Sequence, residues 1–152
     1  MSINFDINDL ISNLITLEKD GGQFYRALAE KTDKIDCKLL FKMLAEEEEK
    51  HQAIYEGLLK ENQQIVSIDK EYGEYLELII KSHFNLDSDK VDACHNLNEA
   101  LELAISLEKE SLVFLAEFSK LVGTKDEATI SMMRAEERKH LKLLLEMKAQ
   151  QA

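Results

Sequence analysis

AEEEEKH at 45–51 and MRAEERKH at 133–140 spell nearly the same phrase twice, and each holds a Glu-x-x-His pair, Glu48 with His51 and Glu137 with His140. On a helix, residues i and i+3 lie one turn apart on the same face, so each pair can aim a carboxylate oxygen and an imidazole nitrogen at one point. About thirty residues upstream of each pair stands a glutamate in a matching context, Glu18 in LEKDGGQFY (17–25) and Glu108 in LEKESLVFL (107–115). Glu18 and Glu108 are offset by 90 residues and His51 and His140 by 89, so the chain reads as a helical hairpin repeated in tandem.

Working outward, every one of these residues interrupts an apolar stripe at helical spacing. Ile7, Ile11, Leu14, Glu18, Gly21, Tyr25 and Leu28 form the first stripe, and Leu40, Leu44, Glu48, His51, Tyr55 and Leu58 the second. Leu97, Leu101, Ile105, Glu108, Leu112, Leu115 and Phe118 make the third, and Ile130, Met133, Glu137, His140, Leu144 and Met147 the fourth. Proline is absent and glycine occurs five times, which leaves caps and polar clusters as the helix stops. Asn96 with Glu99 resembles a capping box, and Gly123 a helix stop. The expected fold is all-α, an antiparallel four-helix bundle of two repeated hairpins, in a single domain over 1–152. Its predicted elements are helix 1 at about 8–31, helix 2 at about 36–60, helix 3 at about 96–122 and helix 4 at about 126–148. A long crossover over 61–95 joins the hairpins, with Tyr72, Leu76, Ile79 and Ile80 in a short helix before the turn-like NLDSDK at 85–90.

Packing two such hairpins brings Glu18, Glu48, His51, Glu108, Glu137 and His140 into the core, where four carboxylates and two imidazoles match a two-metal site. Charge agrees, because two divalent ions neutralise four carboxylates while both histidines bind neutral. Without metal, four buried carboxylates each cost several kcal/mol of desolvation or must take up protons. Mixed oxygen and imidazole ligands suit iron first, with manganese fitting the same set, and the lack of paired thiolates argues against structural zinc. EEEEK at 46–50, read alone, is a solvated charge run. Glu47 lies four residues before His51 and Glu136 four before His140, so spacing leaves either glutamate of each neighbouring pair open; the i, i+3 template favours Glu48 and Glu137.

Other polar residues carry less. Tyr25, two turns beyond Glu18 on the same face, is placed to donate a hydrogen bond to a ligand carboxylate, and core packing explains it equally well. Gly21 and Gly22 either leave room for a small substrate or let two helices approach closely. His83 and His95 have no partner at ligand spacing and read as surface residues, and Cys37 and Cys94 as small, partly buried thiols.

A length of 152 residues buries about two thirds of the unfolded surface, enough for a real core. A net charge of −11 with no basic stripe excludes nucleic acid as the expected partner. No apolar run approaches the roughly 20 residues of a membrane span, and MSINFDINDL lacks the features of an export signal, so a soluble cytoplasmic protein is expected.

At LEKDGGQFYRALAEK (17–31), LAEEEEKH (44–51), ALELAISLEKES (100–111) and RAEERKH (134–140) the sequence resembles the rubrerythrin branch of the ferritin-like superfamily, over nearly the whole chain. The resemblance implies a ferritin-like non-haem diiron bundle, often a homodimer, with two iron ions (Fe2+/Fe3+) held by Glu18, Glu48, His51, Glu108, Glu137 and His140, of which Glu48 and Glu137 bridge. It implies an oxidoreductase that reduces hydrogen peroxide or dioxygen, or else a ferroxidase or iron-storage protein. Two departures stand out. The CxxC pairs of a rubredoxin domain are missing, so electrons must come from an external donor protein such as a rubredoxin. The family's second carboxylate on helix 3, three residues from the first, is replaced by Ile105 and Ser111.

Overall fold

The computed structural model describes residues 1–83 and 88–151, except the side chains of residues 83, 88, 89 and 124. The chain runs β1 (Ser2–Asp6), α1 (Ile7–Lys31), α2 (Ile35–Glu56), β2 (Ile65–Asp69), α3 (Lys70–His83), α4 (Ser88–Asp92), α5 (Leu97–Phe118) and α6 (Thr124–Gln150). Helices α1 with α2 and α5 with α6 form two antiparallel hairpins that pack into a four-helix bundle.

Local chemistry sets the ends. Asp6 caps α1 by accepting from Asn8 N at 3.0 Å and also accepts from Gln64 N at 3.1 Å. The Asn8 amide donates to the carbonyls of Lys60 and Asn62, both at 3.0 Å, so the polar segment after α2 is fastened to the start of α1. Asn96 caps α5 through Glu99 N at 2.9 Å, while the Glu99 carboxylate reaches His95 N rather than the cap residue's own amide.

Several expected boundaries differ. Helix α2 ends at Glu56, ahead of Gly57, so its last expected turn is loop. Helix α5 ends at Phe118; Gly123 precedes α6 as its N-cap and does not stop α5. The all-helical expectation also omits a two-stranded antiparallel ribbon of β1 and β2, in register from Ser2 opposite Asp69 to Asp6 opposite Ile65. Its signal is the alternation in SINFD and IVSID, which sets Ile3 against Ile68 and Phe5 against Val66. In α3, Gly73 admits this ribbon closely, since a Cβ there would lie 3.0 Å from Ile3 Cδ1.

Helix α3 carries the crossover back along α5, where Tyr72 donates to Glu117 Oε2. The first half of NLDSDK lies outside the described residues; its second half opens α4 instead of forming a turn. Lys31 at the end of α1 donates to the carbonyls of Val91 (2.9 Å) and Cys94 (2.6 Å), anchoring the crossover before α5 begins. His95 is exposed, both cysteines are buried thiols, and the His83 side chain is among those not described. No helix among the described residues is long and apolar enough to cross a membrane.

The core is split in two. One cluster gathers Leu28, Phe41, Leu44, Leu101 and Leu144, and the other Ile11, Leu14, Phe118, Ile130 and Met133. Each fully buried side chain of this kind contributes about 1.5–3 kcal/mol, and together they hold a polar layer clamped between them.

Candidate metal centre

Glu18, Glu48, His51, Glu108, Glu137 and His140 all lie in that polar layer, each only 1–4% exposed. Helix α1 brings Glu18 in on the face that buries Leu14, Leu17, Gly21 and Tyr25, and α5 brings Glu108 in between Ile105 and Ser111. The Glu-x-x-His pairs of α2 and α6 close the layer from the other two sides.

The six residues form two overlapping groups, Glu18, Glu48, His51 and Glu137 in one and Glu48, Glu108, Glu137 and His140 in the other, with ligand atoms within 4.8 Å of one another in each. Glu48 and Glu137 belong to both. His51 Nδ1 is 3.2 Å from Glu137 Oε1 and 3.6 Å from Glu18 Oε2. His140 Nδ1 is 3.7 Å from Glu137 Oε2 and 4.0 Å from Glu108 Oε1. The two imidazoles stack with centroids 5.3 Å apart, reproducing the pseudo-twofold relation of the hairpins.

Buried polar atoms are ordinarily hydrogen-bonded, because leaving one unpaired costs about 1–3 kcal/mol. Here Glu18 Oε2, Glu108 Oε2, Glu137 Oε2, both nitrogens of His51 and Nδ1 of His140 lack an aligned partner. Six orphaned donor and acceptor atoms converging on one layer are what a metal-ligand set leaves when described without its ions, and the donor chemistry fits two divalent cations.

Protonation tells the same story. Burial first, then the neighbouring charge of Glu137, pushes the Glu18 carboxyl up to about 8. Burial and Glu137 also hold Glu108 well above the carboxylate range. Burial pushes Glu137 upward too, but the closeness of Glu108, His140 and His51 outweighs it and lowers the net value. Burial drives His51 down, while the carboxylates of Glu137 and Glu18 more than reverse this and raise it to about 10. Protons thus stand where cations would, and a metal must displace them.

Tyr25 donates to Glu108 Oε1 at 2.5 Å, across from α1 to α5. Tyr55 reads in the sequence only as a core residue, yet its buried hydroxyl lacks a partner and feels the charges of Glu18 and Glu137. The sequence holds a clue, because Tyr55 follows Glu48 by the same seven residues that separate Tyr25 from Glu18. Gly21 serves close packing against the site, since a Cβ there would lie 3.4 Å from Cδ and Oε2 of Glu48. Glu47 and Glu136, the alternative ligands, sit outside the two buried groups and half-exposed, but within 4.8 Å of ring nitrogens of His51 and His140.

Comparison with known proteins bears on the whole bundle. A crystal structure from Thermotoga maritima, assigned as a ferritin-like diiron-carboxylate protein, superposes with a TM-score of 0.72 at 26% identity, covering 98% of both chains. No curated protein matches the sequence. The chain matches the Rubrerythrin family over residues 9–148, and it belongs to that family.

Proposed function

We propose that the chain is a non-haem diiron oxidoreductase that reduces hydrogen peroxide or dioxygen with electrons from a separate donor protein such as a rubredoxin. The observation that carries this reading is the pair of overlapping, almost fully buried Glu/His groups sharing Glu48 and Glu137. In this reading Glu18 with His51 and Glu108 with His140 would hold two irons on either side of the shared Glu48 and Glu137. Iron bound there in the ferrous state would supply the two electrons that, with two protons, convert hydrogen peroxide to two waters. Burial keeps bulk water from the layer, Tyr25 fixes the Glu108 carboxylate through its hydrogen bond, and Gly21 lets α1 pack closely beside the Glu48 carboxylate. Manganese satisfies the same ligands.

A second reading is iron oxidation for storage or delivery. It is favoured by the buried Ile105 and Ser111, which stand where the family's extra helix-3 carboxylate is expected. Stopped-flow oxidation of the diferrous protein by hydrogen peroxide and, separately, by dioxygen names the preferred oxidant, and re-reduction decides between the readings: repeated turnover with reduced rubredoxin supports the reductase, and a single oxidation with the ferric iron retained supports iron handling. Gel filtration adds a check, a homodimer being expected and a cage-sized assembly opposing the reductase. His51→Ala and Glu137→Ala should each lower bound iron below two per chain with the helical fold retained, and unchanged iron in both variants overturns the ligand assignment.

A further inference from the structure

Any cation reaching the buried layer must cross from solvent past residues that are themselves sealed. One group bridges that gap among the described residues. Glu47 and Glu136 each precede a histidine of the layer by one turn, and their oxygens lie within 4.8 Å of each other and of ring nitrogens of His51 and His140. Their side chains are 27% and 31% exposed, against 2% and 4% for the two histidines. The group therefore spans from water to the imidazoles along the seam of α2 and α6.

One observation beyond the acidic pair points to a cation, and a second shows that the pair is open to one. Neither nitrogen of buried His51 has an aligned hydrogen-bond partner; one suffices for the inner layer, which leaves the other for a cation held by the outer carboxylates. Each outer carboxylate already holds a cation of another kind, with Lys50 Nζ 3.2 Å from Glu47 Oε1 and Lys139 Nζ 3.1 Å from Glu136 Oε1. Those lysine side chains are 69% and 70% exposed, and ion pairs so open to solvent are only weakly held. A divalent ion, with twice the charge and two carboxylates to share, displaces them easily.

We propose that Glu47 and Glu136, with His51 and His140, form an outer site that captures a hydrated divalent cation and passes it to the inner layer. This rests on the dimetal reading of the six buried residues. Lys50 and Lys139 act as displaceable place-holders, so that the two carboxylates are neither left bare nor tightly blocked.

The test is uptake of cobalt(II) by the metal-free full chain without oxygen, followed by the visible absorption that cobalt gains on binding carboxylate and imidazole. Glu47→Gln combined with Glu136→Gln should slow uptake about tenfold and slow chelator-driven release to match, while two cobalt ions per chain still bind with unchanged affinity. Lys50→Met combined with Lys139→Met should speed uptake several-fold. Unchanged rates in both variants overturn the outer site, and weakened affinity at an unchanged rate assigns the two glutamates to holding the histidines instead. If the wild-type chain binds fewer than two cobalt ions, the dimetal reading falls and this inference with it.

Discussion

Glu18→Gln makes the energetic burden of the polar layer measurable. In the metal-free protein the Glu18 carboxyl titrates at about 8, against the usual 4.5 of an exposed glutamate, with burial as the leading cause. A raised value means that the folded state binds the proton more tightly than the unfolded chain. The stability gained from that proton is complete below about pH 4.5 and drains away as pH rises toward 8. At ~1.4 kcal/mol per unit, the loss between pH 5 and pH 8 is about 3–4 kcal/mol, a large share of the 5–15 kcal/mol typical of a domain. His51, raised from 6.5 to about 10, adds a loss of the same sign at higher pH, and the substitution would weaken that contribution too because Glu18 is among its causes. Urea denaturation with a chelator present at pH 5, 7 and 8 should show wild type weakening steeply with pH and the variant weakening less, since Glu108 and His51 still titrate in it. Glu18→Gln should therefore be the more stable protein at pH 8 while binding less metal. Parallel stability–pH curves for the two proteins would refute the claim that a strained, proton-holding carboxyl sits at position 18.

The remaining expectations concern the same layer. Metal affinity should rise steeply with pH between pH 6 and 7.5, by about tenfold per pH unit for each proton that Glu18, Glu108 and His51 release to a cation; competition against a coloured chelator measures this, and a flat profile contradicts it. Tyr25→Phe removes the 2.5 Å hydrogen bond to Glu108 and should cost about 1–3 kcal/mol, whereas Tyr55→Phe removes a buried hydroxyl with no partner and should leave the metal-free melting temperature equal or higher. Equal changes in the two variants would show that the Tyr25 hydroxyl gains nothing from Glu108. Gly21→Val should push the Glu48 carboxylate aside and lower bound metal below two per chain, while Gly21→Ala makes ordinary contact and keeps both; metal analysis separates the outcomes.

How much of this is legible in the sequence follows the kind of signal each part leaves. The buried layer is readable because a polar residue inside an apolar stripe is conspicuous, and the tandem repeat supplies a second copy of each. Helix ends are less readable: α2 stops ahead of Gly57 and α5 at Phe118, where the tie of Asn8 to Lys60 and Asn62 and the packing of Phe118 override local propensity. The β1–β2 ribbon escapes notice because its partners lie more than fifty residues apart and each strand is only five residues long. Tyr55 hides for the opposite reason. A tyrosine in an apolar stripe looks like core, and only three-dimensional accounting of its hydroxyl reveals the missing partner.

The repeat that organises the site is also broken inside it, and the break has a direction. Seven residues after Glu18 and Glu48 stand Tyr25 and Tyr55, but seven after Glu108 and Glu137 stand Leu115 and Leu144. Both phenols therefore come from the first hairpin, and they are used unequally: Tyr25 reaches over to fix Glu108, whereas Tyr55 sees Glu18 and Glu137 without bonding either. In the proposed assignment the iron position of Glu108 and His140 has one carboxylate oriented in advance. The carboxylate of Glu18, at the other position, has no such phenol: Tyr55 lies near it without bonding it. Preorganisation lowers the cost of binding. Two half-sites alike in their ligands thus differ in how they are held, with a carboxylate anchored by a tyrosine on one side only.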